Sequence, residues 1–508
     1  MNGPAMERLE ERRPAPRSRG PGPFIVLGMF ALVPALVLYA VFAWADRRVD
    51  DNVAAPPPPS TIVDPPLPDE PLRNGMLSFR RLPAVVSRDV NVDGFVSVVA
   101  AFGPTLNDRS CTAVSVDGND VGERNEDLPV IPASTQKIVV AAAALDVLGD
   151  DHRFTTEVVV SEAPVDGVIA GDLVLVGGGD PLLSSDWYPT SNLERRPVFN
   201  STSLDTLADS VRAAGVSVVE GSVLGDGSRY DDEFFAPGWG NGVAGLEAGP
   251  YDALMVNDAR VLGEDRRADD PNSAAAREFT RLLRDRGIVV AGEAAAGALA
   301  VDDEAVQVAS IESAPLTAVI EEMLINSDNN TAELLVKELA VATTPGAEGS
   351  RVAGLDVVAT RLTGWGVGMT GIVLSDGSGL SLENRLTCSA LLEVLQRSGP
   401  DDTIGAALPV AGESGTLADV FTEHPVAGRL LGKTGTLNNP PFNADPPAVK
   451  ALAGYLPVEG GGAVEYVLIL NGPTISDQSE YRPVWDDLVD TLDTYPSGPT
   501  PAELGPVR

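Results

Sequence analysis

The chain has 508 residues, 44% of them hydrophobic, which is enough for a large buried core and two or three domains. Its 73 acidic residues outnumber 36 lysines and arginines, and a net charge of −37 repels phosphate backbones, so nucleic acid is not an expected partner. The two histidines, His152 and His424, cannot form a histidine-based zinc site, and we expect neither a metal ion nor another cofactor.

The first predicted element is an apolar run of 22 residues at positions 24–45. It is long enough for the roughly 20 residues that a membrane-spanning helix needs. Arginines precede it, and positively charged flanks stay on the cytoplasmic side of a membrane. These residues are Arg8, Arg12, Arg13, Arg17 and Arg19. We therefore predict a cytoplasmic N-terminus (1–23), a single-pass transmembrane anchor (24–45) and a catalytic part outside the cytoplasm, on the cell-wall side.

A cleaved signal peptide is the alternative for this segment, because Ala43-Trp-Ala45 resembles a small-residue cleavage site. The apolar cores of signal peptides usually span only about 7 to 15 residues. The longer run here favours a retained anchor.

Prolines dominate the next stretch, and we predict an extended linker over residues 46–84. Strand-like runs then occupy residues 112–116, 157–160, 173–176, 288–291, 449–456 and 464–470. Helical patterns occupy residues 138–148, 280–287, 316–324, 331–339 and 484–492. This mixture predicts helices packed around a sheet. We expect a disordered tail over residues 496–508.

Three short motifs follow one another along the chain: Ser134-Thr-Gln-Lys137, Ser327-Asp-Asn329 and Lys433-Thr-Gly435. Each alone is a weak signal, but together they supply the parts of a serine acyl-transfer site that works without histidine. About 190 residues separate the first motif from the second, too many for a loop. We therefore predict a domain inserted at 156–299 into a catalytic domain formed by 85–155 and 300–495.

The first motif predicts an activated nucleophile. Residues at positions i and i+3 of a helix share a face, so Ser134 and Lys137 should project into one cleft. A serine hydroxyl needs a base to take its proton, and a desolvated lysine near another cation can have its pKa lowered enough to serve. Lys433 is the expected second cation.

The other motifs predict proton transfer and substrate binding. Ser327 is placed to relay a proton to the leaving amine, and the Asn329 amide offers a donor and an acceptor to a peptide backbone. Lys433 and Thr434 suit a terminal carboxylate.

The residues after Thr434 predict the substrate-binding edge of a strand. Gly435 would let this strand approach the substrate closely, because it has no side chain. The backbone N–H groups of Ser134 and Thr436 are the expected donors of an oxyanion hole.

The two cysteines, Cys111 and Cys388, lie far apart in the sequence. An exported chain could bridge them, but spacing says nothing about geometry. Both states remain open at this point, and two separate buried thiols are the interpretation that we favour.

The three motifs resemble those of the penicillin-binding D-Ala-D-Ala carboxypeptidase/endopeptidase family, specifically its low-molecular-mass class C members. Other strings are similar to family blocks: Gly178-Gly-Asp-Pro181, Tyr251-Asp-Ala-Leu-Met-Val-Asn257-Asp258, Asp376-Gly-Ser-Gly-Leu-Ser381, Leu408-Pro-Val-Ala-Gly412 and Gly415-Thr-Leu417. The resemblance covers roughly residues 85–490. One departure is Leu382, where the family often has arginine.

The resemblance implies an α+β penicilloyl-serine transferase fold, with an antiparallel sheet and helices, an all-helical part and an inserted domain. It also implies Ser134 as the acylated nucleophile, Lys137 as the base, Ser327 and Asn329 in the second motif, and Lys433 with Thr434 in the third.

We therefore expect a serine D-Ala-D-Ala carboxypeptidase, with an endopeptidase activity as an extension, that acts on peptidoglycan stem peptides. β-Lactams should acylate the same serine. Two alternatives are a serine β-lactamase of similar fold and a catalytically silent wall-binding scaffold.

Overall fold

The computed structural model describes Tyr39 and residues 82–240, 242–264, 266–299, 305–438, 448–459 and 462–505. The predicted cytoplasmic segment, the predicted anchor apart from Tyr39 and most of the predicted linker lie outside these ranges. Within the described ranges, no helix combines the length and the apolar character that a membrane span requires.

The described helices are α1 Leu82–Phe102, α2 Gln136–Leu148, α3 Leu204–Ala213, α4 Pro271–Asp285, α5 Leu316–Asn326, α6 Asn329–Thr343, α7 Arg351–Gly364, α8 Cys388–Gln396, α9 Thr403–Ala406 and α10 Gln478–Asp493. The strands are β1 Cys111–Val116, β2 Asn119–Arg124, β3 Thr155–Val160, β4 Val168–Ile169, β5 Leu173–Val176, β6 Leu183–Ser184, β7 Thr202–Ser203, β8 Val218–Val219, β9 Val223–Asp226, β10 Val289–Val290, β11 Ala295–Ala296, β12 Val306–Glu312, β13 Leu431–Leu437, β14 Ala448–Pro457 and β15 Ala463–Gly472.

The main sheet is antiparallel, with the strand order β13-β14-β15-β1-β2. Strand β15 is buried along its whole length and β14 along most of it, which explains their continuous apolar sequences. One face of the sheet packs on α2 and α8, and the other packs on α1 and α10. The predicted α+β class, an antiparallel sheet with helices and a largely helical part, is confirmed.

Helix α2 lies at the centre of the helical part and is almost entirely buried against α5, α6, α7 and α8. Its apolar sequence therefore needs no polar face, because neighbouring elements surround it. The helix ends at Gly149, whose φ of 84° is readily adopted only by glycine. This central position places the first motif at the junction of the sheet and the helices.

The inserted part is closed by a pair of long-range strands. Strands β3 and β12 pair antiparallel, with Thr155 opposite Glu312. Together with β5, β9 and β11 they form a second five-stranded sheet, which has its own apolar core with α3 and α4. Strand β12 extends this second sheet to Glu312, beyond residue 299, the predicted end of the insert. The boundaries 156–299 of the insert stay a prediction.

One segment of the insert packs against helix α6 of the catalytic domain. Tyr230, Tyr251 and Met255 form a small apolar cluster with Leu334 of α6. This contact brings the segment before residue 260 beside the second motif.

Helix α1 and the C-terminal segment lie together. Ser87 Oγ donates to the Pro499 carbonyl at 2.6 Å, and Gly498 N–H donates to the Asn91 side chain. The prediction of a disordered tail from residue 496 is therefore wrong for these residues. The helix begins at Leu82, so the last three residues of the predicted linker are helical instead.

Cys111 and Cys388 form a disulfide that joins the start of β1 to the start of α8, with 5.9 Å between their Cα atoms. The favoured interpretation of two separate thiols is wrong. The sheet brings together two positions that are 277 residues apart in sequence.

Candidate active site

Ser134 lies in a tight turn, Ala133–Thr135, that leads directly into α2. Thr135 Oγ1 donates to the Pro132 carbonyl at 2.7 Å and closes this turn. The residue before the serine, Ala133, has a φ of 50°, and this left-handed conformation costs about 1–2 kcal/mol for a residue with a Cβ. The surrounding packing therefore holds the serine in a strained and well-defined position.

Lys137 Nζ lies 2.9 Å from Ser134 Oγ. The same nitrogen contacts Asn329 Oδ1 at 2.8 Å and the Ser378 carbonyl at 2.7 Å. The side chain is fully buried, and three acceptors fix its direction. The i, i+3 spacing in the sequence therefore produces the contact that it predicts.

Burial lowers the pKa of Lys137 to about 8, although the carboxylates of Asp328, Asp376 and Glu333 act in the opposite direction. A lysine with this pKa has a substantial neutral fraction at neutral pH. It can therefore accept a proton from the serine.

Ser327 ends helix α5 with a left-handed backbone (φ 61°), and Lys433 Nζ lies 2.9 Å from its Oγ. Lys433 also donates to the Thr434 carbonyl at 2.9 Å. Burial, followed by the charges of Lys137 and Arg196, lowers the pKa of Lys433 well below its ordinary value. The second and third motifs therefore meet through this serine and lysine.

Asn329 begins helix α6 and joins three parts of the chain. Its Oδ1 accepts from Lys137, and its Nδ2 donates to the Glu247 carbonyl of the insert at 2.8 Å. The next residue, Asn330, accepts from Gly249 N–H at 2.6 Å and donates to Asp258. The insert therefore orients the second motif through backbone groups.

Strand β13 is the edge of the main sheet and carries the third motif. Thr434 and Thr436 line the cleft beside Ser134. A Cβ at Gly435 would lie 2.8 Å from the Pro132 carbonyl oxygen, so this glycine makes room for the turn that carries the nucleophile. That this glycine also lets the strand approach the substrate closely stays a prediction.

The sequence interpretation missed the groups that hold the third contact of Lys137. Buried Glu333 accepts from Gly377 N–H at 3.0 Å and from Ser378 N–H at 2.7 Å. Asp376 accepts from Ser381 N–H at 2.6 Å and from the Asn384 side chain at 2.7 Å. The sequence signals were the Asp-Gly-Ser-Gly string and a carboxylate one turn after Asn329. These groups fix the loop whose Ser378 carbonyl contacts the base.

Replacing Glu333 with Gln should slow acylation of Ser134. The substitution keeps the shape of the side chain but replaces the carboxylate oxygen that faces Gly377 N–H with an NH₂ group, so two donors face each other. One unsatisfied buried donor costs about 1–3 kcal/mol, so we expect roughly a 10- to 100-fold loss in the acylation rate. Stopped-flow acylation by a chromogenic β-lactam measures this, with exposed Glu383→Gln as the matched control. Equal rates in both variants would contradict the role given to Glu333.

The motifs open onto one cleft of about 830 Å³. Residues of the insert form one wall, including Tyr188, Arg196 and Glu247. The other walls come from the second and third motifs and from the first turns of α10. Within the described ranges, no group of three or more His, Cys, Asp or Glu side chains is placed to hold a metal ion.

The antiparallel sheet, the buried lysine beside a serine at the start of the central helix, and the two further motifs around one cleft define an active-site-serine enzyme of the penicilloyl-serine transferase fold. The model of the D-Ala-D-Ala carboxypeptidase 3 (S13) family matches residues 103–264 and 254–495. The chain belongs to this family.

Similar proteins agree with this membership. The chain is 33% identical to a carboxypeptidase of Mycobacterium tuberculosis, over 70% of this chain and 74% of that protein. It is 29% identical to a D-alanyl-D-alanine carboxypeptidase of Actinomadura, over 73% of this chain and 79% of that protein. Among solved structures, penicillin binding protein 4 of Haemophilus influenzae has a similar fold, with a TM-score of 0.64 at 20% identity, covering 78% of this chain and 99% of that one.

Proposed function

We propose that this protein removes the terminal D-Ala from peptidoglycan stem peptides through an acyl-enzyme on Ser134. The observation that carries the proposal is the 2.9 Å contact between Ser134 Oγ and the buried Lys137 amine, whose pKa of about 8 suits a base. Family membership supports the substrate, because the family is one of D-Ala-D-Ala carboxypeptidases. Serine peptidase chemistry is therefore the expected reaction.

The acylation step begins when neutral Lys137 takes the hydroxyl proton of Ser134. The serine oxygen attacks the carbonyl carbon between the two D-Ala residues, and the carbonyl oxygen gains the negative charge. We assign its stabilisation to the backbone N–H groups of Ser134, in the turn before α2, and of Thr436, on the edge strand β13. The C–N bond then breaks, and a proton relayed through Ser327, beside Lys433, neutralises the departing amine.

The deacylation step reverses the same proton path. Water attacks the ester on Ser134, and Lys137 accepts a proton from that water. The shortened peptide leaves with a new carboxyl group, and the proton returns to Ser134 Oγ. Asn329 is oriented by its hydrogen bonds with Lys137 and with the Glu247 carbonyl. It is placed to bind the peptide backbone during both steps.

An endopeptidase activity on D-Ala cross-links requires no further chemical group. The acyl donor is the same, and only the leaving amine is larger. The cleft of about 830 Å³ extends from Ser134 to the first turns of α10, and this room for a larger amine supports the extension.

We also propose that residues 24–45 anchor the protein in the cell membrane with the catalytic part outside the cytoplasm. The apolar run and its preceding arginines support this topology. The disulfide between Cys111 and Cys388 supports an oxidising compartment. Membrane fractionation combined with protease accessibility of intact cells tests it, and a soluble, protected protein would contradict it.

The test of the enzymatic proposal uses the full chain and two reagents. A peptide ending in D-Ala-D-Ala should release one D-Ala. Benzylpenicillin should add its full mass, with the adduct mapped to Ser134, and a solved protein of similar fold is described as complexed with a β-lactam. A long-lived adduct supports a peptidase, whereas rapid release of hydrolysed penicillin would indicate a β-lactamase. Absence of both the adduct and D-Ala release would support a silent scaffold.

A further inference from the structure

The cleft continues beyond β13 to the first turns of α10, where hydrogen-bond donors dominate its lining. Lys450 lies opposite Thr436 in the β13–β14 pair, with its Nζ 3.4 Å from Thr436 Oγ1 and 4.7 Å from the centre of the Tyr481 ring. Arg482 and Trp485 line the same cleft. These five residues are called the donor end of the cleft below.

Two buried donors at this end have no hydrogen-bond acceptor among the residues that the structure describes. Trp485 is 4% exposed, and its indole N–H and the Nε–H of Arg482 are buried without a hydrogen-bond acceptor in the described part of the chain. Lysine, arginine and tryptophan side chains donate but do not accept. Because unpaired buried donors are unfavourable, a group that offers several acceptor oxygens matches this end of the cleft.

The charges at the donor end also favour a ligand with acceptor oxygens. Neither Lys450 nor Arg482 forms an ion pair with any described acidic residue, although the chain carries a net charge of −37. Arg429, by contrast, pairs with Asp493 at 3.0 Å. Burial and the charge of Arg482 lower the pKa of Lys450. Two neighbouring cations that form no ion pair within the described ranges, which omit residues 439–447, favour an anionic ligand.

The third-motif lysine cannot provide this positive charge. Lys433 is fully buried, and its amine is already engaged by Ser327 Oγ and the Thr434 carbonyl. A carboxylate beside Thr436 would therefore find a cation on the neighbouring strand, at Lys450, whereas Arg195 and Arg196 line the part of the cleft formed by the insert.

We propose that the donor end binds a carboxylate of the substrate, with Lys450 and Arg482 as the specificity-determining cations. This inference rests on the proposed function, because it names the part of the peptide that the cleft recognises. The carboxylate belongs either to the C-terminus of the peptide or to one of its side chains, and the two sources share the same chemistry.

The test compares the wild type with Lys450→Met/Arg482→Gln on three acetylated peptides ending in D-Ala-D-Ala. The first has a free C-terminus and a neutral side chain before D-Ala-D-Ala, the second has a C-terminal amide, and the third adds a side-chain carboxylate. Truncating a charged contact should reduce kcat/KM by about 30-fold. If the C-terminus binds, the loss affects the free acids but not the amide. If a side chain binds, only the third peptide shows the excess loss.

Two controls keep this result specific. Arg429→Gln removes an exposed charge outside the cleft and should leave all three kcat/KM values within threefold of the wild type. Lys450→Arg as a single change keeps the positive charge and should retain most of the preference for the carboxylate. A loss that is equal on all three peptides, or no loss, would overturn the inference.

A second measurement separates this inference from the proposed function. D-Alanine, titrated into the full-length protein, should shift the indole N–H resonance of Trp485, assigned through Trp485→Phe, and D-alaninamide should shift it less. The double variant should lose the shift. A shift without peptide cleavage would reject the proposed function and keep the subsite. Cleavage with neither a shift nor a carboxylate preference would reject the subsite alone.

Discussion

A Lys137→Met variant should acylate Ser134 about 1,000-fold more slowly than the wild type, because a positioned base contributes roughly 100- to 10,000-fold to such a step. Methionine has nearly the same length and suits a fully buried site. The substitution leaves Asn329 Oδ1 and the Ser378 carbonyl without their lysine donor, so we expect it also to destabilise the fold by about 1–3 kcal/mol, which thermal unfolding measures separately. The second-order rate constant for penicillin acylation, measured by stopped flow, gives the result.

The pH dependence of the same reaction provides a second readout for the base. The neutral amine is the active form, so the acylation rate should rise with pH and reach a plateau above about 8, the pKa of Lys137. At pH 7 about one tenth of the amine is neutral, against less than a thousandth for an ordinary lysine. The Lys137→Met variant should lose this rise.

Ser134→Ala gives the lower limit of both measurements, because it has no oxygen to acylate. A Lys137→Met enzyme that reacts within threefold of the wild type, with the same pH profile, would show that another group takes the proton.

Gly379→Ala should combine a loss of stability with a loss of acylation. Gly379 has a φ of 84°, and a Cβ there would overlap the Ala133 carbonyl oxygen and lie 3.1 Å from Ser134 N. The backbone conformation should cost about 1 kcal/mol and the overlap about 1–3 kcal/mol more. A displacement of the serine by about 1 Å should reduce acylation roughly 100-fold. Urea unfolding and stopped-flow acylation measure the two effects.

Gly366→Ala is the matched control, because Gly366 has a φ of 90° but no atom within 4 Å of an added Cβ. It should lose only the conformational contribution of about 1 kcal/mol and should keep its acylation rate. If the two variants lose equal stability and both remain active, the nucleophile turn does not depend on the close approach of Gly379.

Local patterns in the sequence predicted the parts of the site that depend on local geometry. The spacing of Ser134 and Lys137 predicted their contact, which the turn leading into α2 provides. The contact between Lys433 and Ser327 was predictable only as a consequence of the combined motifs. The predicted catalytic roles of these residues rest on chemistry that the proposed experiments test.

The features of the fold and the site that the sequence did not predict depend on long-range contacts or on backbone groups. The carbonyls of Ser378 and Glu247 contact the site, but any residue type supplies a carbonyl, so no sequence pattern marks them. Strand β12 is partly exposed and lacks the apolar run of a buried strand, so the sequence did not indicate it. Helix α1 is rich in valine, a poor helix former, and its packing on β2 and α10 overrides that preference.

The contacts of Asn329 and Asn330 with Glu247 and Gly249 limit how this enzyme could be shortened. Excising residues 155–312 to obtain a minimal hydrolase would preserve the serine, the lysine and the main sheet. It would also leave both amides free to rotate, at the point where the peptide has to be aligned. The insert and the catalytic scaffold would therefore have to be transplanted together, as a single engineering unit.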